Sequence, residues 1–244
     1  MAQLFHQETI LITGASSGIG YACALEAIKT GLKVVTVSRN TEKLKSLNNK
    51  NLQIISADIS TQDGRQKVAE NLSGNINYVI QNAAFLETPI AFENIQLKDF
   101  RKSIATNAEP IIFLTQKLLP ILVNSDKPSR ILCISSGAAQ KAIAGIGSYC
   151  ISKAAGLMAS EYLKQELAEK NILVNCYFPG VVDTEMQKTL RNSKSEVFPF
   201  AEEFKKLKKE NRLSSPKIVA AHIMNIFLNS SDLEFSNQYW KFEN

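Results

Sequence analysis

A single α/β domain built on a doubly wound parallel sheet is the fold class this chain predicts, on three observations. Short β-branched or apolar runs alternate with segments of helical period, as strands and crossover helices do in such sheets. The first run ends in a glycine-rich turn, Gly14-Ala15-Ser16-Ser17-Gly18-Ile19-Gly20, which opens directly into a helical pattern through Lys29. The chain has 244 residues, 45% of them hydrophobic, which suffices for one sizeable core.

Composition removes several function classes. The net charge is +5, but Lys and Arg are dispersed except in Lys205 to Arg212, where Glu210 is interleaved, so a nucleic-acid surface is not expected. Cys23, Cys133, Cys150 and Cys176 stand far apart without a Cys-x-x-Cys spacing. His6 and His222 are too few to complete a metal site with them, so no metal is expected and the thiols read as free in a reducing cytoplasm. Met1 to Glu8 has neither a basic nor an apolar signal region, and no stretch approaches 18 uninterrupted apolar residues. A cytoplasmic protein without a membrane span is expected.

Taken in order, Thr9 to Thr13 reads as a buried strand feeding the glycine turn. Strand, Gly-rich turn and helix in that order make a phosphate cradle, because glycine permits close backbone approach and the helix N-terminus offers free N–H groups. The spacing Gly-x-x-x-Gly-x-Gly is one residue wider at the first gap than the usual dinucleotide fingerprint. Leu32 to Ser38 is a second strand, ending in Ser38-Arg39-Asn40 with no acid. An acid there would bind ribose hydroxyls, whereas an arginine pairs with a phosphate, so NADP(H) is expected; a plain surface arginine is the alternative. Asn51 to Ala57 is the third strand. Asp58, with Ile59 behind it, can then hold an adenine amino group or make an Asx turn or N-cap toward a helix over 62–72.

Ile76 to Gln81 is the fourth strand, followed by the small residues Asn82-Ala83-Ala84. A long helical pattern over Leu97 to Leu122 is interrupted by Asn107 and Pro110, and a partial break there can free a carbonyl to bind water. Ser129 to Ile134 is the fifth strand, and Ser136 beyond its carboxyl end can hydrogen-bond a carbonyl oxygen. Thirteen residues on, Tyr149 and Lys153 are i and i+4 on one helical face. A phenol needs help to move protons near pH 7, and an ammonium one turn away is a source of it. Serine-hydrolase chemistry is not expected at Ser136, since no Gly-x-Ser-x-Gly elbow surrounds it. Ile172 to Phe178 is the sixth strand, leading to Pro179-Gly180-Val181-Val182-Asp183-Thr184. Residues 185–213 are too long for a plain connection and carry Met186, Leu190, Phe198, Phe200 and Phe204. They are expected to fold as helices over the pocket, a substrate lid with its aromatics inward. Pro216 to Leu228 reads as a last helix and Asn237 to Phe242 as a seventh, edge strand.

In their order and spacing, Thr13 to Gly20, Asp58, Asn82-Ala83-Ala84, Asn107, Ser136, Tyr149, Lys153 and Pro179-Gly180 resemble the short-chain dehydrogenase/reductase family over almost the whole chain. The resemblance implies one Rossmann domain over residues 1–244, with a seven-stranded parallel sheet in the order 3-2-1-4-5-6-7. It implies Tyr149 as proton donor and Ser136 as the group orienting the carbonyl. Lys153 would lower the tyrosine pKa and bind the nicotinamide ribose, and Asn107 would hold a water linking Lys153 to solvent. It implies NADP(H) held by Gly14, Ser16, Ser17, Gly18, Ile19 and Gly20 at the turn, and by Arg39, Asn40, Asp58 and Ile59 at the adenosine end. Asn82, Ala83, Tyr149, Lys153, Pro179, Gly180, Val182 and Thr184 would line the rest. The usual Asn-Asn-Ala-Gly is here Gln81-Asn82-Ala83-Ala84. A homodimer or homotetramer is also implied.

Asp183 to Gln187, Phe204 to Lys208 and Leu213 to Pro216 look like the sepiapterin reductase and benzil reductase branch, which reduces vicinal dicarbonyls with NADPH. Pterin binders of that branch use an acid near the C-terminus, where this chain has Lys241. Oxidation of a secondary alcohol, or nucleotide sensing without catalysis, are the competing functions.

Overall fold

The computed structural model describes residues 7–122 and 127–242. Met1 to His6, most of the segment read above for a signal region, and the last two residues of the tail lie outside them. In chain order the elements are β1 (Thr9–Thr13), α1 (Gly18–Lys29), β2 (Lys33–Ser38), α2 (Glu42–Lys45), β3 (Leu52–Ser56), α3 (Gln62–Glu70), β4 (Tyr78–Gln81), α4 (Leu97–Asn107) and α5 (Glu109–Leu122). There follow β5 (Ser129–Ile134), α6 (Gly147–Glu166), β6 (Ile172–Phe178), α7 (Glu185–Arg191), α8 (Ala201–Lys209), α9 (Pro216–Asn229), α10 (Asp232–Asn237) and β7 (Trp240–Lys241).

Every strand pairs in parallel, in the order β3-β2-β1-β4-β5-β6-β7. The chain is therefore a doubly wound Rossmann sheet, as its motifs imply. Successive residues of a strand face opposite sides, and this splits the core in two. Ile10 and Ile12 of β1, with Val34, Ile80 and Leu132, pack under α1 and α9. Leu11, with Val35, Val79 and Ile131, packs under α5 and α6. Strands buried on both faces are near-continuous apolar runs, which is why they were legible. None of the described helices is long and apolar enough to cross a membrane.

The helical run over 97–122 breaks where Asn107 and Pro110 interrupt it: Ala108 leaves the helical path and Pro110 has no N–H to donate, which separates α4 from α5. Two features differ from expectation. The seventh strand keeps its edge place with only Trp240–Lys241 of the expected span, and an unexpected helix, α10, opened by a capping box at Ser231 and Glu234, takes up Asn237. The short helix α2 after Thr41 was not expected at all.

Candidate active site

All the motif residues converge at the carboxyl ends of the strands, the position at which doubly wound sheets bind ligands. Gly14 has φ +67°, and a Cβ on it would stand 2.7 Å from the Ala83 Cα, so this turn admits only glycine. The turn is fastened from β4: Asn82 Nδ2 donates to the carbonyls of Thr13 (2.9 Å) and Gly14 (3.1 Å). Thr13 Oγ1 in return accepts from the backbone N–H groups of Asn82 (3.0 Å) and Ala83 (3.1 Å). Asn82 thus shapes the cradle, and Thr13 is a partner that sequence reasoning missed as a site residue. At the start of α1, Ser17 makes no side-chain cap bond and the first turn carries no acid, so its N–H groups and positive dipole end stay available to an anion. Thr184 closes the other side, its methyl 3.3 Å from where a Cβ on Gly18 would lie. Ser16, Ile19 and Gly20 complete the turn. A cradle that a Cβ would fill, lined by helix N–H groups, fits the pyrophosphate of a dinucleotide.

At the adenosine end Arg39 Nη1 lies 3.8 Å from Asp58 Oδ2. Asp58 takes the Asx-turn role: its Oδ1 accepts from Ser60 N (3.0 Å) and Ser60 Oγ (2.7 Å), while Thr61 is the N-cap of α3. The hydrogen bonds from Ser60 and the nearby Arg39 and Lys102 together outweigh burial and hold the Asp58 carboxyl below its ordinary value. Asn40 spends its Oδ1 on Glu42 N (3.1 Å), and the Ile59 carbonyl accepts from Arg65 Nη1 (2.8 Å).

Beyond β5 the structure brings Ser136, Tyr149, Lys153 and Asn107 together. Tyr149 is buried and its hydroxyl is hydrogen-bonded to the Ser136 side chain. Burial pushes the phenol up to about 12 despite that bond. Lys153 Nζ donates to the Ile134 carbonyl (2.8 Å) and lies 5.8 Å from the Tyr149 ring centroid. Burial pulls this ammonium down to about 8, opposed by Cys133 and Cys176. The phenol is thus raised on balance, with burial the largest influence and Ser136 opposing it. Both groups are driven toward their neutral forms by the same dry surroundings, and the ammonium is engaged by a strand carbonyl.

Asn107, the last residue of α4, spends its whole side-chain amide on structure. Its Oδ1 accepts from Phe85 N (2.7 Å), and its Nδ2 donates to the Phe85 carbonyl (2.8 Å) and to Ser152 Oγ (2.8 Å). Ser152 is a second missed partner, although it sits inside the Ser148 to Lys153 stretch. Any water at Asn107 would then fall to its backbone. A hollow of about 10 Å³, the low end of what one water occupies, is lined by Asn107, Lys153, Ser135 and Ser160 among others. Ser135 Oγ there is buried without a partner among the described residues.

Residues 185–213 form α7 and α8 and the turns around them. Phe198 is fully buried, its ring 5.6 Å from Phe204 and 6.1 Å from Phe200, and the three join a cluster with Tyr149, Ile146 and Cys150. Phe198 is a core residue there, with Phe200 and Phe204 partly buried against it. Both ends of the insertion meet after Pro179-Gly180: Val182 bridges Ser214, and Asp183 N donates to the Ser214 carbonyl (2.9 Å). The Asp183 carboxylate accepts from Lys208 Nζ (2.6 Å) and Arg191 Nη1 (3.3 Å), which hold it below the usual carboxylate range.

A family model described as short chain dehydrogenase matches residues 8–195. Benzil reductase ((S)-benzoin forming) of Bacillus cereus is 28% identical over 230 residues, which cover 89% of this chain and 92% of that one. A 3-oxoacyl-(acyl-carrier-protein) reductase of Rickettsia prowazekii is 30% identical over 192 residues, covering 78% and 79%. A solved short chain dehydrogenases/reductase of Saccharomyces cerevisiae matches the fold with a TM-score of 0.88 over 97% of this chain and 96% of that one, at 24% identity.

Proposed function

This chain belongs to the short-chain dehydrogenase family, and from that premise we propose that it is an NADPH-dependent reductase of a ketone in a vicinal dicarbonyl, of the benzil or sepiapterin type. As a member it is an NAD(P)-dependent oxidoreductase working between C=O and CH–OH groups. The observation that carries the reading is the buried Tyr149 hydroxyl bonded to Ser136, with Lys153 one helical turn along.

The bound nicotinamide supplies the hydride that the carbonyl carbon receives. Ser136 and Tyr149 offer two hydroxyls to the carbonyl oxygen, and Tyr149 gives its proton there as charge builds. Burial keeps the Tyr149 phenol protonated at neutral pH, so it carries the proton that reduction of the carbonyl requires. Lys153, at about 8, titrates close to working pH and can return the proton at little cost. Gly14 to Gly20 with Thr184 would hold the pyrophosphate, with Pro179, Gly180 and Val182 toward the nicotinamide.

For the extra phosphate of NADP, Arg39 is the candidate. Its side chain is 69% exposed and its Asp58 partner 41%, and pairs that open are worth about 0–1 kcal/mol, so the guanidinium can turn to a phosphate readily. The substrate side is apolar, with Leu86, Ile143, Met186 and the Phe198 cluster around Tyr149, which suits an aryl ketone. The Bacillus cereus relative is named for such a substrate. Exposed Lys241 stands where a pterin would call for an acid, so benzil is favoured over sepiapterin.

NADPH consumption measured against sepiapterin, benzil, other 1,2-diketones and simple aldehydes tests this, with benzil expected to be turned over best. Tyr149→Phe should bind NADPH as wild type does and lose about 10²-fold or more in kcat, the scale of a missing general acid. Near-normal turnover would remove Tyr149 from the role, and no consumption with any carbonyl would remove the reading itself.

A further inference from the structure

We propose that Gln81 and Gly156 are positioning residues for proton return, which together set the Asn107 backbone carbonyl beside the Lys153 ammonium. The inference rests on the reductase reading above and concerns residues that touch neither the carbonyl nor the nucleotide.

The break between α4 and α5 changes which backbone groups pair. Ile111 N donates to the Ala108 carbonyl (3.1 Å), so the regular i to i−4 bond onto the Asn107 carbonyl is not made. That carbonyl reaches toward α6, which can approach it because residue 156 is glycine: a Cβ there would stand 2.8 Å from Asn107 O and 3.1 Å from Ile111 Cδ1. Asn107, Gly156 and Lys153 then line the same small hollow.

A broken helix needs something to hold its angle, and Gln81 does so from below. It is buried at the end of β4, and its Nε2 donates to the Pro110 carbonyl (3.1 Å) and to Thr115 Oγ1 (3.0 Å). From above, the Asn107 amide is tied to both backbone groups of Phe85. Gln81 and Phe85 bound the same five-residue stretch, so the break is gripped at both sides by one segment of chain. Side chains alternate along a strand, so Gln81 serves the helix break while its neighbour Asn82 serves the glycine turn. The glutamine is one methylene longer than an asparagine, and that length spans both of its acceptors. The titratable groups facing Lys153 are Cys133 from β5, Cys176 from β6 and Tyr149 from its own helix; α4 and α5 bring only Asn107 and Ile111 to the hollow.

The test uses Gln81→Leu, Gln81→Asn and Gly156→Ala, assayed with NADPH and benzil. Gln81→Leu and Gly156→Ala should each lower kcat by about 10-fold, part of the 10²–10⁴ that general acid catalysis supplies, and should displace the basic limb of the kcat–pH profile. NADPH Kd, read by its fluorescence, should stay within about two-fold of wild type, because the cradle is held by Asn82 rather than Gln81. Gln81→Asn, which keeps the amide, should recover part of the loss. Without cofactor, NMR titration of the Lys153 side chain should move in Gln81→Leu and Gly156→Ala relative to wild type. An unchanged pH profile and an unchanged lysine titration in either folded variant would overturn the proposal, as would a kcat loss matched by an equal loss of NADPH affinity. If wild type turns over no carbonyl, the reductase reading fails and the lysine titration alone decides this one.

Discussion

The two walls of the crevice are built on different principles. The cradle, from Thr13 to Gly20 with Asn82 and Ala83, is a backbone surface whose shape depends on atoms that are missing: a single Cβ at Gly14 meets backbone at 2.7 Å. The opposite wall, from Asp183 to Ser214, is a side-chain surface. It is held by three phenylalanine rings and by one carboxylate serving two cations. A surface of backbone can be ruined by a methyl group, whereas a surface of side chains can be reshaped by degrees. The invariant ligand of an enzyme suits the first construction and a variable substrate suits the second.

The comparison breaks most sharply at Phe198. Phe198→Ala should cost about 3–5 kcal/mol of stability, the usual figure for a large buried ring, read from urea unfolding. NADPH affinity in the folded variant should stay near wild type; a parallel loss would mean that the walls are coupled. Next in size, Gly14→Ala faces a left-handed backbone as well as a clash, and should weaken NADPH by about 10²-fold, or about 2.7 kcal/mol, in a fluorescence titration. Binding as tight as wild type would show that the cradle adapts. The smallest effect is expected at Asp183→Asn, about 1 kcal/mol or less for so accessible an ion pair. The Asp183 carboxyl is depressed in the folded chain, so its contribution is present above the unfolded value near 3.9 and is lost as pH falls through the lower folded value. Melting curves of wild type and Asp183→Asn should therefore differ at pH 7, begin to draw together below about pH 4, and meet once the pH is below the folded value. A gap that persists in acid would assign the effect to packing.

What could be read from the residues alone follows the same divide. The strands and the glycine turn were legible because backbone geometry demands particular residue types at fixed spacing, and Ser136, Tyr149 and Lys153 followed from their order. Asp58 left two roles open, since an Asx turn and a ligand contact use the same oxygen. The edge strand of the tail was legible within 237–242, whereas the helix α10 before it was passed over, its start marked only by the capping box at Ser231 and Glu234. The raised phenol of Tyr149 was beyond reach, because the burial responsible comes in part from Phe198 and its neighbours, some fifty residues on in the chain. Gln81 was passed over for a similar reason: its partners, Pro110 and Thr115, lie about thirty residues away.

The bridge between Val182 and Ser214 has a practical side. Because Val182 and Ser214 pair with each other, the segment between them leaves and returns at one point, and its two ends are already the ends of a graft. Residues 185–213 could be exchanged for the matching piece of another reductase at two adjacent joints, with every strand and the Gly14 to Gly20 turn kept as the host.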